Sequence, residues 1–289
     1  MVRLSGILAW VLLMTACQQV SSPTVATIPI PTTSQAADIA TTTTQAVTPD
    51  PTPAENDRSR CFDEAASFTD DGFLGRSDTG ESDSQTLAGI NWTDSSECAA
   101  VTLSFRTEPG APAVDPPAFR AEYLRHTGIV RIELGPEIID SALSDQAFDT
   151  ALLAGAYVVY DPSLLTLMVD IHLAEGATAR VRSASSPSRL VLEMERDDQT
   201  IEGTPVFGDA VVLLQPATRT PPMMIEGYGR AGLDLSASVV TSAGAFDRTL
   251  TFEGSPTRWT FFEWTIREFQ PGPVAIRVGD APPIEFISP

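Results

Sequence analysis

The stretch Leu165-Thr166-Leu167-Met168-Val169-Asp170-Ile171-His172-Leu173 has a branched apolar residue at every second position. Successive side chains of a β-strand point to opposite faces, so this pattern predicts a strand with one packed face and with Asp170 and His172 on a wet face. The same alternation recurs in three other segments: Val101, Leu103, Phe105; Val130, Ile132, Leu134; and Leu190, Leu192, Met194. Together they predict an antiparallel sheet that is packed on one face and solvated on the other.

One segment departs from this period. Between 136 and 151, Ile139, Leu143 and Ala147 are spaced as on one face of a helix. The spacing indicates a short helix between two predicted strands.

Four segments of the first half resemble the AMIN-like domain of actinobacterial envelope proteins. They are Thr127 to Leu134, Ala156 to Tyr160, Val169 to Ala174, and Ser186 to Glu193, where a Pro-x-Arg turn leads into an apolar strand. The resemblance covers about residues 98–196. It implies a β-sandwich-like envelope domain of poorly defined activity, related to domains that localise envelope proteins at peptidoglycan. The family has no agreed catalytic residues, so none can be assigned here.

The remainder of the chain has seven short apolar segments, most of them separated by Gly or Pro turn signals. These segments are Val211 to Leu214, Met223 to Tyr228, Leu235 to Val240, Arg248 to Phe252, Trp259 to Glu268, Val274 to Val278 and Ile284 to Ile287. Seven such strands predict an immunoglobulin-like sandwich. Gln215-Pro216, the segment Ile225 to Arg230, and Pro271 to Val274 resemble the immunoglobulin-like module of bacterial sporulation and germination lipoproteins. Thr200 to Phe207 is predicted to be the hinge between the two modules.

The N-terminus has the order of a secretory signal. A basic residue, Arg3, precedes the apolar stretch Gly6 to Met14, which is too short to span a bilayer, and Ala16-Cys17 follows. This junction resembles a bacterial lipobox, which implies that Cys17 carries a lipid. The alternative is an ordinary secreted protein with an incidental cysteine. Residues 17–60 are rich in Thr, Ser, Pro, Ala and Gln and lack aromatic residues, so they predict a disordered tether.

We therefore expect an all-β protein with two β-sandwich-like domains in tandem after a disordered tether. The expected bounds are 1–16 for a lipoprotein signal peptide, 17–60 for the linker, 61–199 for the AMIN-like domain and 200–289 for the immunoglobulin-like domain. The expected location is extracytoplasmic, with a lipid anchor in the cell membrane.

Three cysteines are present, and a lipid on Cys17 would leave Cys61 and Cys98 as a pair in an oxidising compartment. We predict that they form one disulfide across an acidic, turn-rich segment. The alternative of two free thiols would require a cytoplasmic location, which the signal argues against. A zinc site is disfavoured because neither histidine lies at ligand spacing from a second Cys or His.

The charge of the chain narrows its partners. The formal charge is −20, and all 18 basic residues are arginine, because the sequence contains no lysine. Such a chain should be repelled by nucleic acid, so no nucleic-acid partner is expected. The absence of lysine excludes a P-loop, a lysine Schiff base and a Ser-Lys pair.

The strand that begins at Trp259 supplies the candidate binding surface. Alternation puts Phe262, Trp264 and Ile266 in the core, and Trp259 and Phe261 outward, next to Glu263. Outward aromatic groups beside a carboxylate are a common arrangement for holding sugars, so Trp259, Phe261 and Glu263 form the candidate site. The alternative is that a loop or the neighbouring domain covers them.

No catalytic constellation emerges. His126 and His172 lack a recognisable nucleophile, and no Gly-x-Ser-x-Gly occurs. The segment Asp78 to Asp83 clusters oxygen ligands but lacks EF-hand spacing, which favours a solvated acidic loop over a calcium site. We therefore expect no enzyme activity, cofactor or metal. The expected function is binding or scaffolding at peptidoglycan, a wall glycan or an envelope protein; the alternatives are a hydrolase or hydrolase accessory with an unrecognised carboxylate pair, and a structural spacer.

Overall fold

The computed structural model describes residues 61–62, 67–78, 82–108, 110–138, 140–141, 143–148, 150–252 and 258–289. The predicted signal peptide, lipid site at Cys17 and tether lie outside the described residues. Within these ranges the chain is all-β, as predicted, and contains no α-helix. Accordingly, no helix in the described part could cross a bilayer.

The first module comprises residues 61–199. Its strands are β1 (Gly72–Ser77), β2 (Thr86–Asp94), β3 (Cys98–Arg106), β4 (Phe119–Leu124), β5 (Ile129–Leu134), β6 (Asp140–Ser141), β7 (Asp145–Ala147), β8 (Leu153–Asp161), β9 (Thr166–Leu173), β10 (Ala177–Ala184) and β11 (Arg189–Arg196). A sheet of order β10-β11-β3-β2-β6 faces β4, β5, β8 and β9 across a shared apolar core. The inward residues Val101, Leu103, Ile132, Val169 and Leu192 are those that the alternation predicts.

The second module comprises residues 200–289. Its strands are β12 (Val206–Phe207), β13 (Val211–Leu213), β14 (Met223–Arg230), β15 (Asp234–Thr241), β16 (Gly244–Thr251), β17 (Trp259–Ile266), β18 (Gly272–Val278) and β19 (Ile284–Ser288). All seven predicted strands are present, and β12 is an addition. A sheet of order β16-β15-β18-β19 packs on β13, β14 and β17 around a second apolar core. Two sandwich-like groups of strands are therefore present, as the sequence predicts, and the boundary between residues 199 and 200 stays a prediction.

The predicted helix over 136–151 is wrong. Its place is taken by β6, which pairs in parallel with β2, and by β7, which pairs antiparallel with β8. The backbone N–H of Ser141 donates to its neighbour Asp140, and that of Leu143 donates to the Ser141 hydroxyl. Such local bonds compete with helical ones, and the two flanking sheets provide further backbone partners.

The modules share one continuous sheet of order β1-β4-β5-β9-β8-β17-β14-β13-β12. The link is a parallel pairing of β8 with β17, in which Trp259 lies opposite Val159 and Thr260 opposite Tyr160. The predicted hinge over Thr200 to Phe207 is wrong. Ile201 packs so closely on Gly128 that an added Cβ there would lie 2.6 Å from Ile201 Cδ1, and Val206–Phe207 pairs with β13. The connection is therefore fixed to both modules.

The shared sheet curls strongly. Strands β9 and β14 are three strands apart, a separation of about 14 Å in a flat sheet. Yet the hydroxyl of Tyr228 on β14 donates a hydrogen bond to the carboxylate of Asp170 on β9. The curl brings the second module over the outer face of the first.

Cys61 and Cys98 are joined by a disulfide, with their Cα atoms 6.2 Å apart. Cys98 is the first residue of β3 and Cys61 is the first described residue of the chain. Nearby, Phe62 stacks on Phe68, and both rings lie against the guanidinium of Arg180. The bridge thus ties Cys61 to a central strand of the five-stranded sheet.

Candidate functional site

The three predicted site residues share one face of β17, as the alternation requires, but their exposure increases along the strand. Trp259 is buried, Phe261 is half-buried and Glu263 is exposed. On neighbouring β14 the same face passes from buried Tyr228 to exposed Met224. The first module therefore covers this face only at the N-terminal end of β17.

Trp259 is the part of the prediction that the structure contradicts. It is 3% exposed and belongs to an apolar cluster with Val159, Met168 and Tyr228 at the module junction. Its indole Nε1 donates to Asp145 Oδ1 at 3.2 Å. The guanidinium of Arg230 lies 4.0 Å above the ring. Trp259 is thus a packing residue, and the alternative, cover by the neighbouring domain, is correct for it.

Phe261 and Glu263 line a solvent-open cleft of about 640 Å³ at the module junction, which we call the junction cleft. Its walls are the turn between β8 and β9, strand β16 and strand β17. The lining residues are Tyr160, Asp161, Pro162, Ser163, Leu165, Arg248, Thr249, Leu250, Thr251, Phe252, Thr260, Phe261, Phe262 and Glu263. Aromatic and apolar residues thus occur together with one exposed carboxylate, one exposed guanidinium and several hydroxyl groups.

The cleft exists because β17 extends beyond the end of its neighbouring strand β8. Strand β8 pairs with β17 only at Trp259 and Thr260, after which the chain turns towards β9. Within the described residues, no strand pairs with this edge of β17 from Phe261 onward. Its backbone polar groups are therefore directed towards the cleft.

The β8–β9 turn presents the apolar side chain of Leu165 at the rim of the cleft. Leu165 is 70% exposed and adopts a φ of 56°, and Leu164 is 59% exposed. The Asp161 carboxylate holds the turn by accepting hydrogen bonds from the backbone N–H and hydroxyl of Ser163, each at 2.7 Å. A left-handed conformation costs a leucine about 1–2 kcal/mol. The predicted strand therefore begins one residue later than expected, at Thr166, and Leu165 belongs to the turn.

A buried polar network lies beside the cleft. Arg131 on β5 donates to Asp170 on β9 from Nε at 3.0 Å and from Nη2 at 2.8 Å. The Tyr228 hydroxyl donates to the same carboxylate, and Glu226 Oε1 lies 3.8 Å from Arg131 Nη1. The guanidinium of Arg131 also lies 5.1 Å from the centre of the Phe261 ring. The network therefore connects both modules to one lining residue of the cleft.

The charge states of the network follow from its burial. Burial, reinforced by the Asp170 carboxylate, holds the pKa of Tyr228 well above its ordinary value, so its hydroxyl remains a donor. Burial also raises the pKa of Glu226, against the opposing effect of Arg131. For Arg131, burial lowers the pKa but the Asp170 carboxylate outweighs it, so the pKa is raised. Arg131 and Asp170 thus form a desolvated ion pair.

The wet face predicted for Asp170 and His172 is therefore wrong. Both side chains are buried, because the curled sheet places the second module against this face of β9. The alternation correctly predicts the face of β9 on which each side chain lies. That face is nevertheless buried, because residues of the second module, which follow later in the chain, pack on it.

Several cleft residues carry no signal in the sequence. The β8–β17 pairing brings Tyr160 and Leu165 near Phe261 and Glu263, and the packing of the β16 sheet on β17 brings Arg248 there. The described residues of the acidic segment contribute nothing to the cleft. Residues 79–81 lie outside the described residues, and the Asp83 carboxylate accepts hydrogen bonds from the backbone N–H groups of Val114 and Asp115. These bonds lower the pKa of Asp83. In the described ranges, no group of three or more His, Cys, Asp or Glu residues could hold a metal ion.

Comparison with protein-family models and with curated proteins finds no match to this chain. The resemblances to the AMIN-like and immunoglobulin-like modules accordingly remain predictions from the sequence.

Proposed function

We propose that this chain is a non-catalytic recognition lipoprotein of the cell envelope and that the junction cleft binds an uncharged segment of wall glycan. The observation that carries the proposal is the composition of the cleft, in which Tyr160, Phe261 and Leu165 accompany Glu263 and Arg248. Ligand sites commonly lie at domain interfaces and combine apolar walls with a few polar groups. A sugar ring offers the matching chemistry, since it has apolar faces and hydroxyl edges.

The charge of the protein selects among envelope polymers. With a formal charge of −20, the chain should repel polyanions such as phosphate-containing wall polymers. Inside the cleft Arg248 accompanies two carboxylates, Asp161 and Glu263, so the lining offers no excess of positive charge to a polyanion. Peptidoglycan strands, whose sugars bear amide and hydroxyl groups, fit these properties better than anionic polymers do.

A hydrolase is the second candidate, because Asp161 and Glu263 both line the cleft. The Asp161 Oδ1 atom, however, accepts hydrogen bonds from the backbone and the hydroxyl of Ser163 and from the backbone of Leu164. This carboxylate therefore serves to hold the turn, which favours binding over glycoside hydrolysis.

The cleft is tested by the double variant Arg248→Gln/Glu263→Gln. Both side chains are exposed, so the fold should be retained, while loss of two charged hydrogen-bonding groups should weaken binding to purified peptidoglycan by about tenfold or more. Co-sedimentation with purified peptidoglycan measures the effect. The matched control is Glu285→Gln on β19, which lies at the opposite edge of the sheet from β16. Equal binding by the double variant and the unmodified chain would contradict the cleft assignment, and no binding by the unmodified chain would favour a structural spacer.

The proposed anchor is tested at Cys17. Replacement by serine removes the thiol that would carry the lipid, so the Cys17→Ser chain should appear in the medium or retain its N-terminal segment. Membrane fractionation and the intact mass of the product measure this outcome, with Ser21→Ala as a control that should stay in the membrane fraction. A processed Cys17→Ser chain that remains membrane-bound would refute the lipid anchor.

A further inference from the structure

A second cavity lies apart from the junction cleft, between strands β7, β8, β9 and β12. We call it the histidine cavity. Its volume is about 250 Å³, and its lining includes Asp145, Gln146, Ala154, Tyr157, His172 and Phe207. None of these residues lines the junction cleft. A volume of this size corresponds to about eight water molecules, so it suits a single small ring.

His172 is the unusual component of this cavity. The residue is 1% exposed, and in the part of the chain that the structure describes neither Nδ1 nor Nε2 has a hydrogen-bond partner. Burial lowers the pKa of His172 to about 4, so the imidazole is neutral near pH 7. A neutral imidazole offers one N–H donor and one acceptor nitrogen. Since buried polar groups are nearly always paired, the two unpaired nitrogens of His172 indicate a missing hydrogen-bond partner.

The rest of the wall is aromatic. The ring centre of Tyr157 lies 4.8 Å from that of His172. Phe207 lies 6.1 Å from Tyr157 with the two rings 21° from parallel, and it is 5.8 Å from His172. Phe207 is also 46% exposed, which is unusual for so large an apolar ring. Its free face is therefore available for stacking.

The charged groups near the cavity are already paired. Asp145 Oδ1 lies 3.1 Å from Arg230 Nη2 and also accepts the indole N–H of Trp259. On the other side of His172, Arg131 is paired with Asp170. Among the described residues beside the cavity, a charged guest would thus find its counter-charges already paired, whereas a neutral guest needs none.

We infer that the histidine cavity is a binding site for one neutral, hydroxylated ring, such as a single sugar residue. A hydroxyl of the ring would pair with the imidazole of His172, and an apolar face would stack on Phe207. This site is separate from the junction cleft, so it stands or falls independently of the proposed function.

The chain's two histidines make the test direct. In a His126→Gln background, His172 supplies the only imidazole signals in a nitrogen NMR spectrum of the full chain. Titration with N-acetylglucosamine and with glucose should shift these signals saturably. Glucosamine and glucuronate, which carry a positive and a negative charge, should bind at least tenfold more weakly.

Two variants locate the site. Ala154→Trp, at an exposed rim position, should fill the cavity and weaken binding at least tenfold, whereas the matched control Ala245→Trp, on exposed β16, should leave binding unchanged. His172→Phe should abolish binding while the melting temperature stays equal or rises, because it removes two unpaired polar atoms without emptying the site. The Arg248→Gln/Glu263→Gln variant should bind as the unmodified chain does.

Three results would overturn the inference. They are the absence of a saturable shift with both neutral sugars, a shift that Ala154→Trp leaves unchanged, and a His172→Phe chain that is less stable than the unmodified chain. The third result would mean that the imidazole of the unmodified chain is hydrogen-bonded to ordered water. The first and third would assign the cavity to ordered water alone.

Discussion

Replacing Trp259 with alanine is expected to destabilise the folded chain by about 3–5 kcal/mol, because it leaves a cavity where a buried indole side chain was packed. The indole fills the junction between the modules, contacts Tyr157 edge-on at 5.5 Å and donates to Asp145. Loss of the indole also exposes to water the parallel backbone pairing of residue 259 with Val159. This pairing links the two halves of the shared sheet. Denaturant-induced unfolding measures the change in free energy of unfolding.

The control is Phe246→Ala on β16, a large aromatic residue that is exposed. Its expected cost is within about 0.5 kcal/mol, as for ordinary surface substitutions. A Trp259→Ala chain as stable as the Phe246→Ala chain would show that Trp259 does not support the junction and would restore it as a candidate recognition residue.

The second large effect is expected for Asp170→Asn, at about 3–5 kcal/mol. The side chain of Asp170 is fully buried and is the counter-ion of Arg131, so the variant leaves a desolvated guanidinium without its charge partner. It also alters the group that accepts the hydrogen bond of Tyr228. Unfolding by denaturant, followed separately by fluorescence and by circular dichroism, measures the loss and reveals whether the two modules still unfold together.

Glu226→Gln is the matched control, because Glu226 also faces Arg131 but at 3.8 Å and with partial exposure. Its expected cost is about 1 kcal/mol or less, because burial raises the pKa of Glu226 and glutamine resembles the neutral form that burial favours. If Asp170→Asn costs no more than Glu226→Gln, the buried pair does not stabilise the junction.

Strand existence could be predicted because it depends on local alternation. Val101, Leu103 and Phe105 are buried on one face of β3, and Thr102 and Ser104 lie on the other. The seven strands of the second module follow from the same period and from Gly and Pro turn signals. The helical spacing between 136 and 151 was misleading, because other hydrogen bonds compete there with those of a helix. The Asp140 and Ser141 side chains accept hydrogen bonds from the nearby backbone, and strands of two different sheets pair with this segment.

The candidate site was only partly predictable for a related reason. Alternation correctly places Trp259, Phe261 and Glu263 on one face of β17, but it contains no information on what lies above that face. Whether that face of β17 is buried depends on β8, which lies about a hundred residues earlier in the chain, and on a curl of the sheet that no short segment encodes. The same cover removes Asp170 and His172 from solvent.

By itself, the sequence determined the all-β class, the positions of most strands, the inward and outward phase of their side chains and the acidic, lysine-free surface chemistry. These properties follow from nearest-neighbour geometry and composition, which act over a few residues. Only the tertiary structure decided that the two modules share one sheet, that Trp259 and Asp170 are buried at the junction, and that Phe261 and Glu263 line a cleft with Tyr160 and Arg248. Those outcomes depend on long-range strand pairing, in which the free energy of burying two distant segments together determines which faces remain in water.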